Sequence, residues 1–97
     1  MDGFSLPAGQ VIMANDVIVY STRFCPFCIR AKQLLTKKGV AFRDIAVDGD
    51  PQLREKMTQE AGSRTVPQIW INGQHIGGCS ELMTLDASGD LDRMLNN

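Results

Sequence analysis

Ninety-seven residues, 43% of them hydrophobic and 22% charged, suffice for one domain with a modest core that needs no disulfide staples. Ten Lys and Arg against eleven Asp and Glu leave a net charge of −1 with the two signs interspersed, which excludes an electrostatic footprint for nucleic acid or an anionic membrane. No apolar run reaches the length of a membrane-spanning helix and no lipidation motif is present, so a soluble protein without a membrane partner is expected.

Met1 to Ile12 contain Gly and Pro but neither a basic leader region nor an apolar stretch of signal-peptide length. They are expected to be an N-terminal extension of flexible or artificial origin, because Met13-Ala14-Asn15 looks like a second start just before the first strand. Residues 13–97 then form the single domain. Val17-Ile18-Val19-Tyr20 reads as a short buried strand. Phe27, Ala31, Leu34 and Leu35 follow at helical spacing, and Gly39 stops that helix after Lys37 and Lys38, whose charges suit its negative end. Val40 to Val47 is expected to be a second strand, which makes a right-handed parallel βαβ unit. Asp50-Pro51 caps a second helix carrying Leu53, Met57 and Ala61 before Gly62. Gln68–Ile71 and Gln74–Gly77 flank Asn72-Gly73, a strong hairpin signal because both turn positions need positive φ. Ser80 and Asp90 are each expected to be N-caps, of a short helix with Leu82, Met83 and Leu85 and of a last one with Leu91, Met94 and Leu95. The order is β-α-β-α-β-β-α-α, an α/β chain with a four-stranded mixed sheet.

Chemistry enters at Cys25-Pro26-Phe27-Cys28, two thiols three residues apart at a strand-to-helix turn. Such a pair can close a small disulfide and reopen it, which is electron-transfer chemistry. Pro26 suits the first helical position, so Cys25 falls at the N-cap, where its sulfur faces unpaired backbone N–H groups and the positive end of the helix dipole. That setting makes Cys25 the expected nucleophile. Cys28, about one turn further in, is expected to resolve a mixed disulfide formed on Cys25. A zinc site is the competing reading, since His75 and Cys79 would complete four ligands as C-x2-C, a long gap and H-x3-C. The stiff, apolar Pro26-Phe27 connector and the chain's sufficient apolar content favour redox chemistry with no metal. An odd number of cysteines, three, also fits a reducing compartment, the cytoplasm, better than an extracellular disulfide framework.

Two further segments belong at the carboxyl end of the first strand, where open α/β sheets bind ligands. In Thr65-Val66-Pro67 a proline enters a strand; sequence alone favours an ordinary trans bond, while a cis bond would leave the Val66 N–H and C=O free for a peptide-like ligand. In Gly77-Gly78-Cys79-Ser80-Glu81 two glycines run into a helix N-terminus, either as a plain turn or as a carboxylate site. Cys79 by default is a small buried residue, and His75 a packed or solvent-facing one. Taken alone, Arg23 and Arg54 read as solvated surface charges.

From Tyr20 to Leu82, with Cys25-Pro26-Phe27-Cys28, Thr65-Val66-Pro67-Gln68-Ile69 and Gly77-Gly78-Cys79-Ser80 at these separations, the chain resembles the dithiol glutaredoxins, the small bacterial ones in particular. The resemblance implies a thioredoxin-like fold, a cis Pro67 and a glutathione-dependent thiol–disulfide oxidoreductase that reduces protein–glutathione mixed disulfides and some protein disulfides. Glutathione is implied as co-substrate, with no tightly bound cofactor. Thr65, Val66 and Pro67 would pair with its cysteinyl part, Gly78, Cys79 and Ser80 would hold its γ-glutamyl carboxylate, and Arg54 would reach its glycyl carboxylate. Phe27 stands where the family more often has tyrosine, keeping the aromatic wall without the hydroxyl. The family's frequent lysine three residues before the first cysteine is Thr22 here, so Arg23 would supply the cation from one position later. Partners implied are glutathione and glutathionylated or disulfide-containing proteins, met by a monomer. A potential of roughly −200 to −230 mV would put the pair within reach of the glutathione pool. The alternatives are a thioredoxin-reductase-linked electron donor, which needs no glutathione groove, and a [2Fe–2S] cluster carrier, which Pro26 and the competing Cys28 disfavour.

Overall fold

The computed structural model describes residues 16–96; the extension expected over residues 1–12 lies outside them, as do residues 13–15 and Asn97. The elements are β1 (Val17–Ser21), α1 (Pro26–Lys37), β2 (Arg43–Ala46), α2 (Pro51–Ala61), β3 (Gln68–Ile71), β4 (Gln74–Gly77), α3 (Cys79–Ser88) and α4 (Asp90–Leu95). They build one four-stranded sheet in the order β2-β1-β3-β4. β1 runs parallel to β2 and antiparallel to β3, and β3 runs antiparallel to β4. The expected element order and mixed sheet are therefore present.

Strand alternation divides the apolar residues between two faces. Val17 and Val19 of β1 and Ile69 and Ile71 of β3 join Ala31 and Leu35 of α1, Leu82 of α3, and Leu91 and Leu95 of α4 in the larger core. On the other face Tyr20, Val47 and Met57 form a smaller core, with Ile18, Ile45, Leu53, Val66 and Trp70 packed against it. Trp70 meets Tyr20 edge to face, with ring centroids 5.4 Å apart. Lys38, at the end of α1, reaches both Asp86 of α3 (2.7 Å) and Asp92 of α4 (2.9 Å), and so pins three helices at one corner.

Three boundaries differ from expectation. The strand expected over Val40 to Val47 is confined to Arg43–Ala46. Val40 gives its N–H to the Leu35 carbonyl (3.1 Å), and Val40 and Phe42 pack into the larger core, so the chain leaves α1 through a tight exit before it meets β1. Ser80 does not cap α3; Gly78 is the N-cap and Ser80 lies inside the helix. The Gly78 N–H is satisfied by the Glu81 carboxylate at 2.7 Å, so the helix starts earlier than a hydroxyl cap would place it. Asp90 is the first residue of α4 and Gly89, at φ +85°, is its N-cap, because the same glycine ends α3 and leaves no room for a second capping residue. The Asn72-Gly73 turn has the expected positive φ at both positions, 52° and 81°.

Ile69 is fully buried between β1, β4 and the helices of the larger core. Ile69→Ala is expected to destabilise the fold by about 2–5 kcal/mol, read from the shift of a urea unfolding curve at constant slope. A loss below about 1 kcal/mol would mean that the larger core does not carry the fold.

Candidate active site

The turn between β1 and α1 sets the thiols. Pro26 occupies the first helical position, and Cys25 before it is the N-cap, in extended backbone geometry (φ −110°, ψ 108°). Its Sγ accepts the Cys28 N–H at 3.2 Å and lies 3.7 Å from the Val66 carbonyl oxygen. No acidic residue stands in the first turn of α1. Both cysteines are free thiols, Cys25 half-buried and Cys28 at 0% exposure.

Burial pushes the Cys28 thiol up to about 12, the hydrogen bond with Cys25 adds to the effect, and a negative charge on Cys25 raises it further. The Thr22 backbone and Lys32 pull in the opposite direction without cancelling these effects. One thiol of the pair is thus reachable and the other is enclosed and protonated.

Beside Cys25 opens a cavity of about 560 Å³ lined by Phe27, Thr65, Val66, Pro67, Gly78, Cys79 and Ser80 from the expected set. The Val66–Pro67 bond is cis. Gly78 lets the two walls approach: a Cβ there would stand 3.3 Å from the Pro67 carbonyl oxygen. Gly77 combines φ +120° with a would-be Cβ only 2.9 Å from the Glu81 side chain, so glycine is needed on both counts. Cys79 is buried, and burial raises its pKa. Phe27 is 58% exposed and forms an open aromatic wall, with the Arg30 guanidinium 5.7 Å from its ring centre.

Two expected residues stand elsewhere. Arg23, its side chain 75% exposed, is paired with Asp48 (3.0 Å), and its hydrogen bond holds that carboxyl below the usual range. Arg54 donates to the Arg64 carbonyl (3.0 Å) and lines a separate depression of about 510 Å³ with Asp48, Asp50 and Arg64. Neither arginine lines the cavity beside Cys25.

Conversely, Gln68, His75 and Glu81 do line it, although sequence reasoning offered His75 only as a ligand of the competing zinc site and gave Gln68 and Glu81 no role. Glu81 had a signal, an acidic residue three positions after Gly78 at a helix start. Gln68 and His75 had no local signal: His75 pairs with Trp70, two residues along β3 from Gln68, so the two meet diagonally across the hairpin. His75 is exposed and packed on Trp70, with ring centroids 4.7 Å apart, and its Nε2 lies 2.7 Å from Gln68 Oε1. Among the described residues no group of three or more His, Cys, Asp or Glu side chains is placed to hold a metal ion.

The family model described as glutaredoxin matches residues 17–76. A glutaredoxin of Pseudomonas aeruginosa is 55% identical over 80 residues, which span 82% of this chain and 95% of that protein. Glutaredoxin 3 of Escherichia coli is 52% identical over 83 residues, 86% of this chain and 99% of that one. Among solved structures, a buckwheat glutaredoxin–glutathione complex superposes with a TM-score of 0.79 at 34% identity, covering 86% of this chain and 78% of that chain. A glutaredoxin from Brucella melitensis does so with 0.75 at 45% identity, covering 82% and 87%.

The contrast between the thiols is measurable. Brief treatment of the reduced, folded chain with iodoacetamide near neutral pH is expected to label Cys25 and spare Cys28, since a thiol raised to about 12 stays protonated there. Peptide mass spectrometry reads the result, and equal labelling of both positions would contradict this account of the pair.

Proposed function

The chain belongs to the glutaredoxin family, the glutathione-dependent disulfide oxidoreductases of thioredoxin-like fold, and we propose that it reduces protein–glutathione mixed disulfides through Cys25, with Cys28 opening a second route to protein disulfides. The observation that carries this reading is the cavity beside Cys25, whose Val66 wall approaches the Cys25 sulfur to 3.7 Å. A ligand bound there would present its own sulfur to the reachable thiol of the pair.

The reaction begins when the Cys25 thiolate attacks the glutathione sulfur of the mixed disulfide. The target's sulfur–sulfur bond breaks, the target thiolate leaves and takes up a proton, and Cys25 carries glutathione. The groove supports that outcome by aligning the glutathionyl half for in-line attack, while the departing protein needs little recognition. A second glutathione thiolate then attacks the same sulfur, releasing glutathione disulfide and regenerating Cys25. For protein disulfides Cys28 attacks the mixed disulfide on Cys25 instead, and two glutathiones reopen the Cys25–Cys28 bond.

In the groove, Thr65, Val66 and Pro67 take the cysteinyl backbone, and the backbone N–H groups of Cys79 and Ser80, which Gly78 leaves accessible, take the γ-glutamyl carboxylate. Phe27 covers one side. The glycyl carboxylate falls to Arg23 and Arg54, each of which would exchange a present partner, Asp48 or the Arg64 carbonyl, for the ligand. The odd number of cysteines suits a reducing cytoplasm, where the chain would work as a monomer on glutathionylated and disulfide-containing proteins. No helix among the described residues is long and apolar enough to cross a membrane.

Turnover of a small glutathione mixed disulfide, coupled to glutathione reductase and NADPH, tests the reading. Cys25→Ser is expected to abolish it, a fall of at least about a hundredfold, whereas Cys28→Ser keeps most of it and loses reduction of protein disulfides. An inactive wild-type chain would sink the glutathione reading and turn attention to reductase-linked electron donation.

A further inference from the structure

The Thr65–Val66–Pro67 wall has no helix or strand of its own; it lies in the connection between α2 and β3. Short contacts hold it: Arg54 on the Arg64 carbonyl (3.0 Å), the Ser63 and Thr65 hydroxyls on each other (2.9 Å), and the side chain of Gln68. Gln68 opens β3 opposite Tyr20 in the sheet interior and is only 4% exposed. Its amide nitrogen lies 3.0 Å from the Thr65 carbonyl oxygen and 3.2 Å from Thr65 Oγ1. A carbonyl oxygen can only accept, so the amide nitrogen must face Thr65 and the amide oxygen must face His75. The His75 Nε2 at 2.7 Å therefore carries a proton and donates to Gln68 Oε1. The His75 ring is steadied in turn against Trp70. Each hydrogen-bonding atom of a buried amide is thus used, and its direction is fixed from the hairpin side.

We propose that Gln68 and His75 are a positioning pair for the groove, holding the Thr65–Val66 backbone where it can pair with the glutathionyl moiety and thereby setting affinity for that moiety without touching the thiol chemistry. This inference rests on the glutathione reading above. His75 acts through Gln68: without its N–H, Gln68 Oε1 loses its partner, the amide is free to turn, and the hold on Thr65 weakens. Val66 follows Thr65 directly, so a loosened Thr65 carbonyl displaces the atoms that line the cavity next to Cys25.

Three variants separate positioning from packing. His75→Phe keeps a ring on Trp70 and removes the donor; His75→Gln returns an N–H donor without the ring; Gln68→Glu keeps the length and the acceptor but cannot donate to the Thr65 carbonyl when ionised. Steady-state kinetics on the mixed disulfide of glutathione and 2-mercaptoethanol are expected to show KM raised about three- to tenfold for His75→Phe and Gln68→Glu, as for loss of one hydrogen bond, with kcat within about twofold of wild type. The Cys25 alkylation rate should stay unchanged, and His75→Gln should return KM toward wild type. Amide relaxation of Thr65 and Val66 in the reduced chain should show lower order in His75→Phe and Gln68→Glu only. Unchanged KM and unchanged Val66 order in a folded His75→Phe chain would overturn the proposal, as would a fall in kcat and alkylation rate at constant KM. The relaxation measurement needs no turnover. A wild-type chain inactive with glutathione would therefore end the proposed function, while the relaxation data still decide whether the pair positions the wall.

Discussion

The hydrogen bond from the Cys28 N–H to Cys25 Sγ fixes how the rest of the molecule is used. It exists because Pro26 begins the helix and leaves Cys25 as its cap, so a free backbone donor of the first turn of α1, the Cys28 N–H, meets sulfur. That geometry needs β1 to deliver the chain at one height and angle. β1 is held there from both edges, by parallel pairing with β2 and antiparallel pairing with β3, and by the burial of Val17, Val19 and Tyr20 on its two faces. The buried sheet is thus a jig for one sulfur atom. β3, the same strand that secures β1, begins with the residue that grips the Thr65–Val66 wall, so the thiol and its groove share one rigid element.

Most of this arrangement was legible because it is local. Helix spacing, the Asp50-Pro51 start, the Asn72-Gly73 turn and the Cys25-Pro26 cap each follow from a few adjacent residues, and the structure places each where expected. The β2 boundary failed for the opposite reason. Val40 and Phe42 carry strand-like side chains, yet the exit from α1 spends the Val40 N–H on Leu35, and pairing with β1 begins only at Arg43. The Gly78 cap was missed because the Ser80 hydroxyl is the more familiar cap signal and outweighed the acidic residue three positions after Gly78, whose carboxylate folds back onto the glycine N–H. Gln68 and His75 stand seven residues apart and come to 2.7 Å only as diagonal neighbours across the hairpin, a contact that no run of adjacent residues announces.

The arginines illustrate a different limit. Residue type says that Arg23 and Arg54 can hold a carboxylate; it does not say what holds them in the free chain. Arg23 is taken by Asp48 and Arg54 by a backbone carbonyl, and both contacts are partly solvated. Exposed pairs of this kind contribute little and exchange readily, so their present partners compete with a ligand without excluding it. The proposed groove is consequently better prepared on its backbone side, at Val66 and Gly78, than on the charged side proposed for Arg23 and Arg54.

The same economy explains why an enclosed, protonated Cys28 is compatible with a resolving role. Burial is the largest cause of its raised pKa, but the hydrogen bond with Cys25 and the Cys25 charge act in the same direction. Once Cys25 is spent in a mixed disulfide its sulfur is neutral, so the charge contribution disappears and the hydrogen bond weakens. The contributions of the Thr22 backbone and Lys32, which favour the thiolate, remain. Cys28 is then easier to ionise than before, at the moment when an adjacent disulfide is present to attack. In the proposed resolving role its ionisation is coupled to the state of Cys25 through that charge and that hydrogen bond, while burial, the largest cause of the raised pKa, stays.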